Sequence, residues 1–394
     1  MRNFGYTKSQ MMTLLFSTTQ LSLLNPPQKK AQLFLMLCGL SLIHLQCAQA
    51  PLKFTSKDDP LVPLEPHFKA LHQVTQGALD DRVSWSFNGA WLTFQRRELS
   101  SSKGGEVTAC DQAYKVKPSG KGLQKLSQSK SGAFNPAFLP GDKRISFNSA
   151  ESQRDKCIPN TYDSLNRVDW LILPSQKIYT LKTDGTDLLP LDPGAPTLYH
   201  ADASFCKDGS VAFAAEDQGD IELYIGKLDN LGTVSGIQKI TDRAGFDGEV
   251  TFSPDCKKIA WVAAPPQKKK EALPPQKRLE GYTIRPPELE IWTANGDGTD
   301  AHAITHFGAI SVSPTFSPNS SKIVFASNLS HPRKKEFSLY QINIDGTELE
   351  LISRASPYEG SPRFSPDGRY LAFTSQRNAT TPEETSIFIA EWAD

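Results

Sequence analysis

Ser361-Pro-Arg-Phe-Ser-Pro-Asp-Gly-Arg-Tyr-Leu-Ala-Phe373 decides the fold, because imperfect copies of it recur from near residue 80 to the end of the chain. Read physically, the stretch is a strand, a tight turn and a second strand. Phe364 closes the first strand, Pro366-Asp367-Gly368 reverses the chain, and Leu371 and Phe373 alternate with the small Ala372. Gly368 supplies a positive φ without a Cβ penalty.

The copies align on the aromatic that ends the first strand: Trp85, Phe138, Phe205, Phe252, Phe316 and Phe364. A turn of Gly, Pro, Asn or Asp follows each, although Cys256 and Ser320 stand where glycine would be expected. Second strands then run Leu92-Thr-Phe94, Ile145-Ser-Phe147, Val211-Ala-Phe213, Ile259-Ala-Trp261, Ile323-Val-Phe325 and Leu371-Ala-Phe373. This large-small-large pattern suits a sheet packed between two others. Third strands carry an aromatic near their start, at Tyr114, Tyr179, Tyr224, Trp292, Tyr340 and Phe388. Asp-Gly-Thr hairpin turns stand at Asp184, Asp297 and Asp345, and Leu126-Ser, Ile240-Thr, Ile304-Thr and Ile352-Ser end fourth strands.

The sixth copy stops at its third strand, whereas Ala70-Leu-His-Gln-Val-Thr75, ahead of the first copy, has the pattern of a fourth. The fold expected is therefore all-β, a six-bladed β-propeller of four-stranded blades, its ring closed by the N-terminal strand completing the last blade. Pro136, Pro314 and Pro362 fall in innermost strands, whose free edge tolerates a missing N–H.

At 38% apolar and 22% charged residues, the 394-residue chain has the balance of a globular protein rather than a disordered one. Residues 1–50 hold Arg2, Lys8, Lys29 and Lys30 and no acid; without them 39 basic groups face 43 acidic ones. Such a balance does not suggest nucleic-acid binding. Lys29-Lys30, the apolar run Ala31–Ile43 and Ala48-Gln-Ala50 read as an export signal or N-terminal anchor, so residues 1–50 are assigned to it. Lipidation of Cys47 is a rival reading. Residues 51–66, with four prolines, read as a linker, and 67–394 as the propeller. A periplasmic monomer, tethered to the membrane if the leader is retained, is the expectation.

The residues three before each aligned aromatic are Arg82, Asn135, Asp202, Glu249, Ser313 and Ser361. Those five before it include Asp80, His200, Asp247 and Glu359. Because strand residues alternate in direction, both sets are expected to face the channel mouth as a polar, largely acidic ring. Such a cluster could hold a divalent cation, receive a cationic terminus or side chain of a partner, or simply line a water-filled funnel. No resident cofactor or metal is assigned.

Two insertions follow second strands on the same face. One, Ala264–Pro287, is proline-rich and basic through Lys268, Lys269, Lys270, Lys277, Arg278 and Arg285, a set that could grip an acidic partner. The other, Glu151–Gln176, carries Cys157, Tyr162, Trp170 and Leu171. Cys110 lies on this face in the adjacent blade, so a Cys110–Cys157 bridge is plausible; Cys206 and Cys256 sit in turns on the opposite face, as free thiols or as a pair.

Phe-Ser-Pro-Asp-Gly-x-x-Leu/Ile-Ala-Phe together with Tyr-x-x-x-x-x-Asp-Gly-Thr resembles the propeller repeat of TolB, the periplasmic partner of the Tol–Pal envelope system, over about residues 67–392. TolB carries an additional α/β domain before its propeller, for which residues 51–66 are too short, so the resemblance is to the propeller alone. It implies a protein or peptide partner in the envelope and favours the Cys110–Cys157 pairing, since similar chains often carry a cysteine at each place. Similar propellers also gate prolyl-oligopeptidase-like peptidases, but no Gly-x-Ser-x-Gly elbow occurs in this sequence. Gly-rich phosphate loops, paired Cys-x-x-Cys and His-Glu-x-x-His are absent as well. The expected function is non-catalytic protein or peptide binding at the channel mouth and rim loops. The alternative is a glycan-active enzyme, a glycosidase or uronate lyase using rim carboxylates or a metal.

Overall fold

A computed structural model of the chain describes residues 65–98, 110–150, 170–172, 176–191, 199–229, 232–264, 282–284, 288–332 and 336–393. Among these residues the chain forms six four-stranded antiparallel sheets, one two-stranded ribbon and no helix. The sheets are the blades of a β-propeller. Their inner strands are Ala78–Trp85, Phe134–Phe138, His200–Phe205, Asp247–Phe252, Ser311–Phe316 and Glu359–Phe364, and each ends on the aromatic that aligned the copies. Each inner strand touches the next in chain order, and the sixth touches the first.

Cross-strand aromatic pairs hold each blade together. Phe94 lies opposite Tyr114, Phe147 opposite Tyr179, Phe213 opposite Tyr224, Trp261 opposite Trp292, Phe325 opposite Tyr340 and Phe373 opposite Phe388. Ring centroids are 5.7–6.1 Å apart in all six pairs. Stacking of this kind adds roughly 0.5–1.5 kcal/mol to what burial alone contributes.

The strand preceding the first blade, Phe68–Gln73, pairs with Ser386–Trp392 as the outer strand of the sixth sheet. Phe68 stacks on Phe373 at 5.5 Å, and His67 stacks on Trp392 at 4.8 Å. Burial begins ahead of the expected His67, because Glu65 is buried against the Arg377 guanidinium. Arg377 also bonds Glu359 through Nε at 2.8 Å, so the strand enters the sixth blade over a buried ion cluster.

The short recurring motifs have structural explanations. In Ser365-Pro-Asp-Gly, the Ser365 hydroxyl donates to Asp367 at 2.6 Å and accepts from the Tyr370 N–H at 3.0 Å, locking the turn from inside. Ser86, Ser253 and Ser317 repeat the arrangement. The hydroxyls that end fourth strands accept strand-three N–H groups: Ser127 from Ala113, Thr241 from Leu223, Thr305 from Ile291 and Thr75 from Ile387, at 2.8–2.9 Å. Gly298 of one Asp-Gly-Thr turn sits so close to the preceding blade that a Cβ would come within 2.7 Å of Ile240.

The fourth position of the first turn is left-handed in every blade: Gly89, Asp142, Gly209, Cys256, Ser320 and Gly368 all have φ between 58° and 84°. At Asp142, Cys256 and Gly368 it also meets the turn of the blade before, Gly368 by lying against Pro318. The Asp142 carboxylate accepts the N–H groups of Phe87 and Asn88 at 2.7 and 2.9 Å, and Cys256 is disulfide-bonded to Cys206. Two of the departures from glycine, Asp142 and Cys256, are thus links between blades, and Cys206 and Cys256 are a pair rather than free thiols.

Trp170–Ile172 and Tyr282–Ile284, from the insertions of blades two and four, pair antiparallel as the two-stranded ribbon. The sequence suggested only loops there.

Replacing Cys256 by glycine tests the staple. The substitution relieves left-handed strain of about 1 kcal/mol but removes a cross-link worth roughly 2–4 kcal/mol. Urea unfolding without reductant should show a net loss relative to wild type, and the loss should vanish in dithiothreitol. Equal losses under both conditions contradict the staple.

Candidate functional site

Every inner strand is bulged at the same place. The pairing register slips between Asp81 and Ser84, Phe134 and Ala137, Ala201 and Ser204, Gly248 and Thr251, Val312 and Thr315, and Gly360 and Arg363. Within each slip one non-glycine residue is left-handed: Arg82, Asn135, Asp202, Glu249, Ser313 and Ser361, with φ of 50–56°. These are the six residues three before the aligned aromatics. A left-handed non-glycine residue costs about 1–2 kcal/mol, and its recurrence in six blades means the propeller imposes it. A bulge re-aims its side chain, here toward the centre of the ring.

The direction follows from the contacts. Arg82 of blade one forms an ion pair with Glu249 of blade four at 2.7 Å and donates to the Ser313 hydroxyl of blade five at 3.2 Å. Blades one and four lie opposite in the ring, so the Arg82 side chain crosses the channel. Glu249 Oε2 also accepts the Ser313 N–H at 2.7 Å. Asn135 donates its amide to Asp202, which accepts a second from Asn148 at 3.0 Å. Ser361 donates to Asp81 at 2.6 Å. The bulge N–H groups are met as well: Asn135 donates to Gln95 and Asp202 to Asn148, both at 3.2 Å.

The residues five before the aromatics do not join this ring, contrary to the expectation that both sets face the channel mouth. Alternation predicts a shared face only in an unbroken strand, and the bulge intervenes. Asp80, Asp247 and Glu359 are fully buried and His200 nearly so. Asp80 pairs with Arg96 at 2.8 Å across its own blade. Asp247 pairs with Arg243 at 3.0 Å and accepts the Trp261 indole N–H at 2.7 Å. Glu359 pairs with Arg377, and His200 meets Phe213 edge-on at 6.0 Å. The carboxylate–imidazole cluster of His200, Asp202, Asp247 and Glu249 is consequently divided between two environments. Among the described residues, three groups able to ligate a metal approach within 4.8 Å of one another at Cys206, Asp208 and Cys256, where the two sulfurs are bonded to each other.

The electrostatics follow the same division. Burial pushes the Asp202 carboxyl above its ordinary pKa, and neighbouring Glu249 adds to the shift. Burial opposes ionisation of Glu249 too, yet the Arg82 guanidinium and the Ser313 N–H bring its pKa below the usual range. Away from the channel, burial raises Asp80 to about 7 despite Arg96, and Asp247 to about 6 despite Arg243.

Two members of the channel set were not anticipated. Asp81 accepts from Ser361, Thr374 and the Arg82 N–H. Arg363 precedes its aligned aromatic directly, where other blades have Ser84, Ala137, Ser204, Thr251 and Thr315. The one long cation in a column of small residues was the signal. With Arg82 and Arg363 present, the ring is mixed in charge rather than largely acidic.

Lys268, Lys269, Lys270, Lys277, Arg278 and Arg285 lie outside the described residues, as do Cys157 and the leader. Cys110 is disulfide-bonded. No described helix is long and apolar enough to cross a membrane.

No family model matches the chain. A curated protein TolB homolog from Chlorobium luteolum is 28% identical over 145 residues, which are 37% of this chain and 27% of that protein's length. A TolB structure from Agrobacterium tumefaciens superposes with a TM-score of 0.50 at 15% identity, covering 80% of this chain and 91% of the other. The propeller is TolB-like. A gluconolactonase structure from Xanthomonas campestris also has a TM-score of 0.50, at 11% identity over 83% of this chain and 91% of its own, so the TolB-like architecture is shared with an enzyme. Fold alone does not assign the activity.

The raised Asp80 pKa makes a signed prediction. A carboxyl whose pKa is higher folded than unfolded stabilises the fold most at low pH, and the contribution is lost as pH rises from about 4 through the folded value of about 7. Asp80→Asn removes this dependence. The unfolding free energy of wild type minus that of the variant, from urea titrations, should therefore fall steadily from pH 4 to pH 8. A flat or rising difference contradicts the assignment.

Proposed function

We propose that the chain is a non-catalytic binding propeller of the bacterial periplasm or cell envelope, which engages a protein or peptide segment through the channel and the rim loops. The observation that carries this reading is the identical bulge in all six blades, which delivers a guanidinium, an amide, two carboxylates and two hydroxyls to one channel. A common backbone with blade-specific groups is what selective recognition requires. The acids that a glycan-active enzyme would use are held by the protein's own groups, Glu249 by Arg82 and Asp202 by two amides. The TolB-like repeat and the export-type leader support the compartment, and the basic insertion of blade four is a second contact for an acidic partner. No resident metal is part of the proposal.

The test is affinity capture from the envelope fraction of the producing cells, with the full-length chain as bait. Asn135→Ala combined with Asp202→Ala should reduce recovery of the retained protein at least tenfold. Asp184→Asn, in an exposed hairpin turn on the other face, should leave recovery unchanged. Equal recovery by all three proteins contradicts the channel as binding site.

A further inference from the structure

Arg363 differs from the other channel charges in how it is satisfied. Its Nη1 donates to the carbonyls of Pro362, Pro314 and Ser313 at 2.8, 3.1 and 3.3 Å, and the Trp85 indole N–H donates to its own carbonyl at 3.1 Å. The backbone is pinned and one nitrogen is anchored. Among the described residues neither Nε nor Nη2 makes a hydrogen bond to protein, and the residue keeps partial solvent exposure. The free edge is the planar fork that matches a carboxylate with two parallel hydrogen bonds.

The neighbouring acids are already engaged. Glu249 bonds Arg82, Asp81 accepts four donors, and Asp202 accepts two amides. None of them hydrogen-bonds Arg363. Burial and the nearby Arg82 charge lower the Arg363 pKa to about 10, with Glu249 and Asp81 opposing the shift, as befits a guanidinium that is only partly compensated. An enclosed cation held by neutral carbonyls gains most from an anionic partner.

We propose that Arg363 recognises a carboxylate of an extended peptide entering the channel, either the chain terminus or an acidic side chain. This rests on the peptide-binding reading above and specifies its chemistry. It also replaces the expectation that the channel receives a cationic group.

The experiment follows the Arg363 Nε–Hε signal of the ¹⁵N-labelled full-length protein, assigned by its loss in Arg363→Lys. Three probes are titrated: N-acetyl-trialanine as the free acid, the same peptide as its amide, and galacturonic acid. The free acid should shift the signal saturably and the amide should not, and Arg363→Lys should weaken binding of the acid at least fivefold, read from the Asn135 side-chain amide. No shift with the acid, an equal shift with the amide, or a response to galacturonic acid alone overturns the proposal. If envelope capture depends on Asn135 and Asp202 but the acid leaves Arg363 unmoved, this inference fails alone. If capture ignores those residues, the parent reading fails.

Discussion

The left-handed bulge in each inner strand is the constraint on which the rest depends. A regular strand beside the axis would present alternate residues to its two sides along its whole length. The slip at Arg82, Asn135, Asp202, Glu249, Ser313 and Ser361 breaks that alternation once per blade and turns one side chain toward the channel. The residues two positions earlier are left inside the blades, where Asp80, Asp247 and Glu359 each take an arginine. One backbone device therefore separates recognition groups from buried ion pairs within a few residues of chain.

The same economy governs the opposite face. At Asp142, Cys256 and Gly368 the left-handed position of the first turn lies against the preceding blade's turn, so the residue there becomes an inter-blade contact. Glycine allows close approach, Asp142 grips two N–H groups, and Cys256 makes a covalent link. Strain of about 1 kcal/mol at a non-glycine residue is offset by these contacts. The turn is scaffold, but its variations join particular blades.

Much of the fold was legible in the sequence because its elements depend on residue types that recur. An aromatic must close each inner strand, a second must stack across strands two and three, and glycine or a short polar residue must form each turn. Phe364, Phe373 and Phe388 display all of this in a single copy. The site was less legible. The left-handed position itself holds Arg, Asn, Asp, Glu or Ser and in no blade glycine, so residue type at that position did not disclose the break in alternation; His200 and Asp247 were expected beside Asp202 and Glu249 for that reason. Arg363 lies one residue before Phe364, at neither of the two offsets that define the expected ring, although it is the one cation in its column. The Cys206–Cys256 pairing needed a spatial fact, namely that corresponding turns of successive blades touch.

The central claim is that the bulges aim side chains of opposite blades at one another across a common channel, and the Arg82–Glu249 pair tests it most directly. A double-mutant cycle with Arg82→Ala, Glu249→Ala and the double variant, read by urea unfolding, isolates their interaction. The account predicts a coupling of about 2 kcal/mol or more, because Arg82→Ala leaves the buried Glu249 carboxylate without its cation. A coupling below about 0.5 kcal/mol, the additivity found for distant sites, would contradict it.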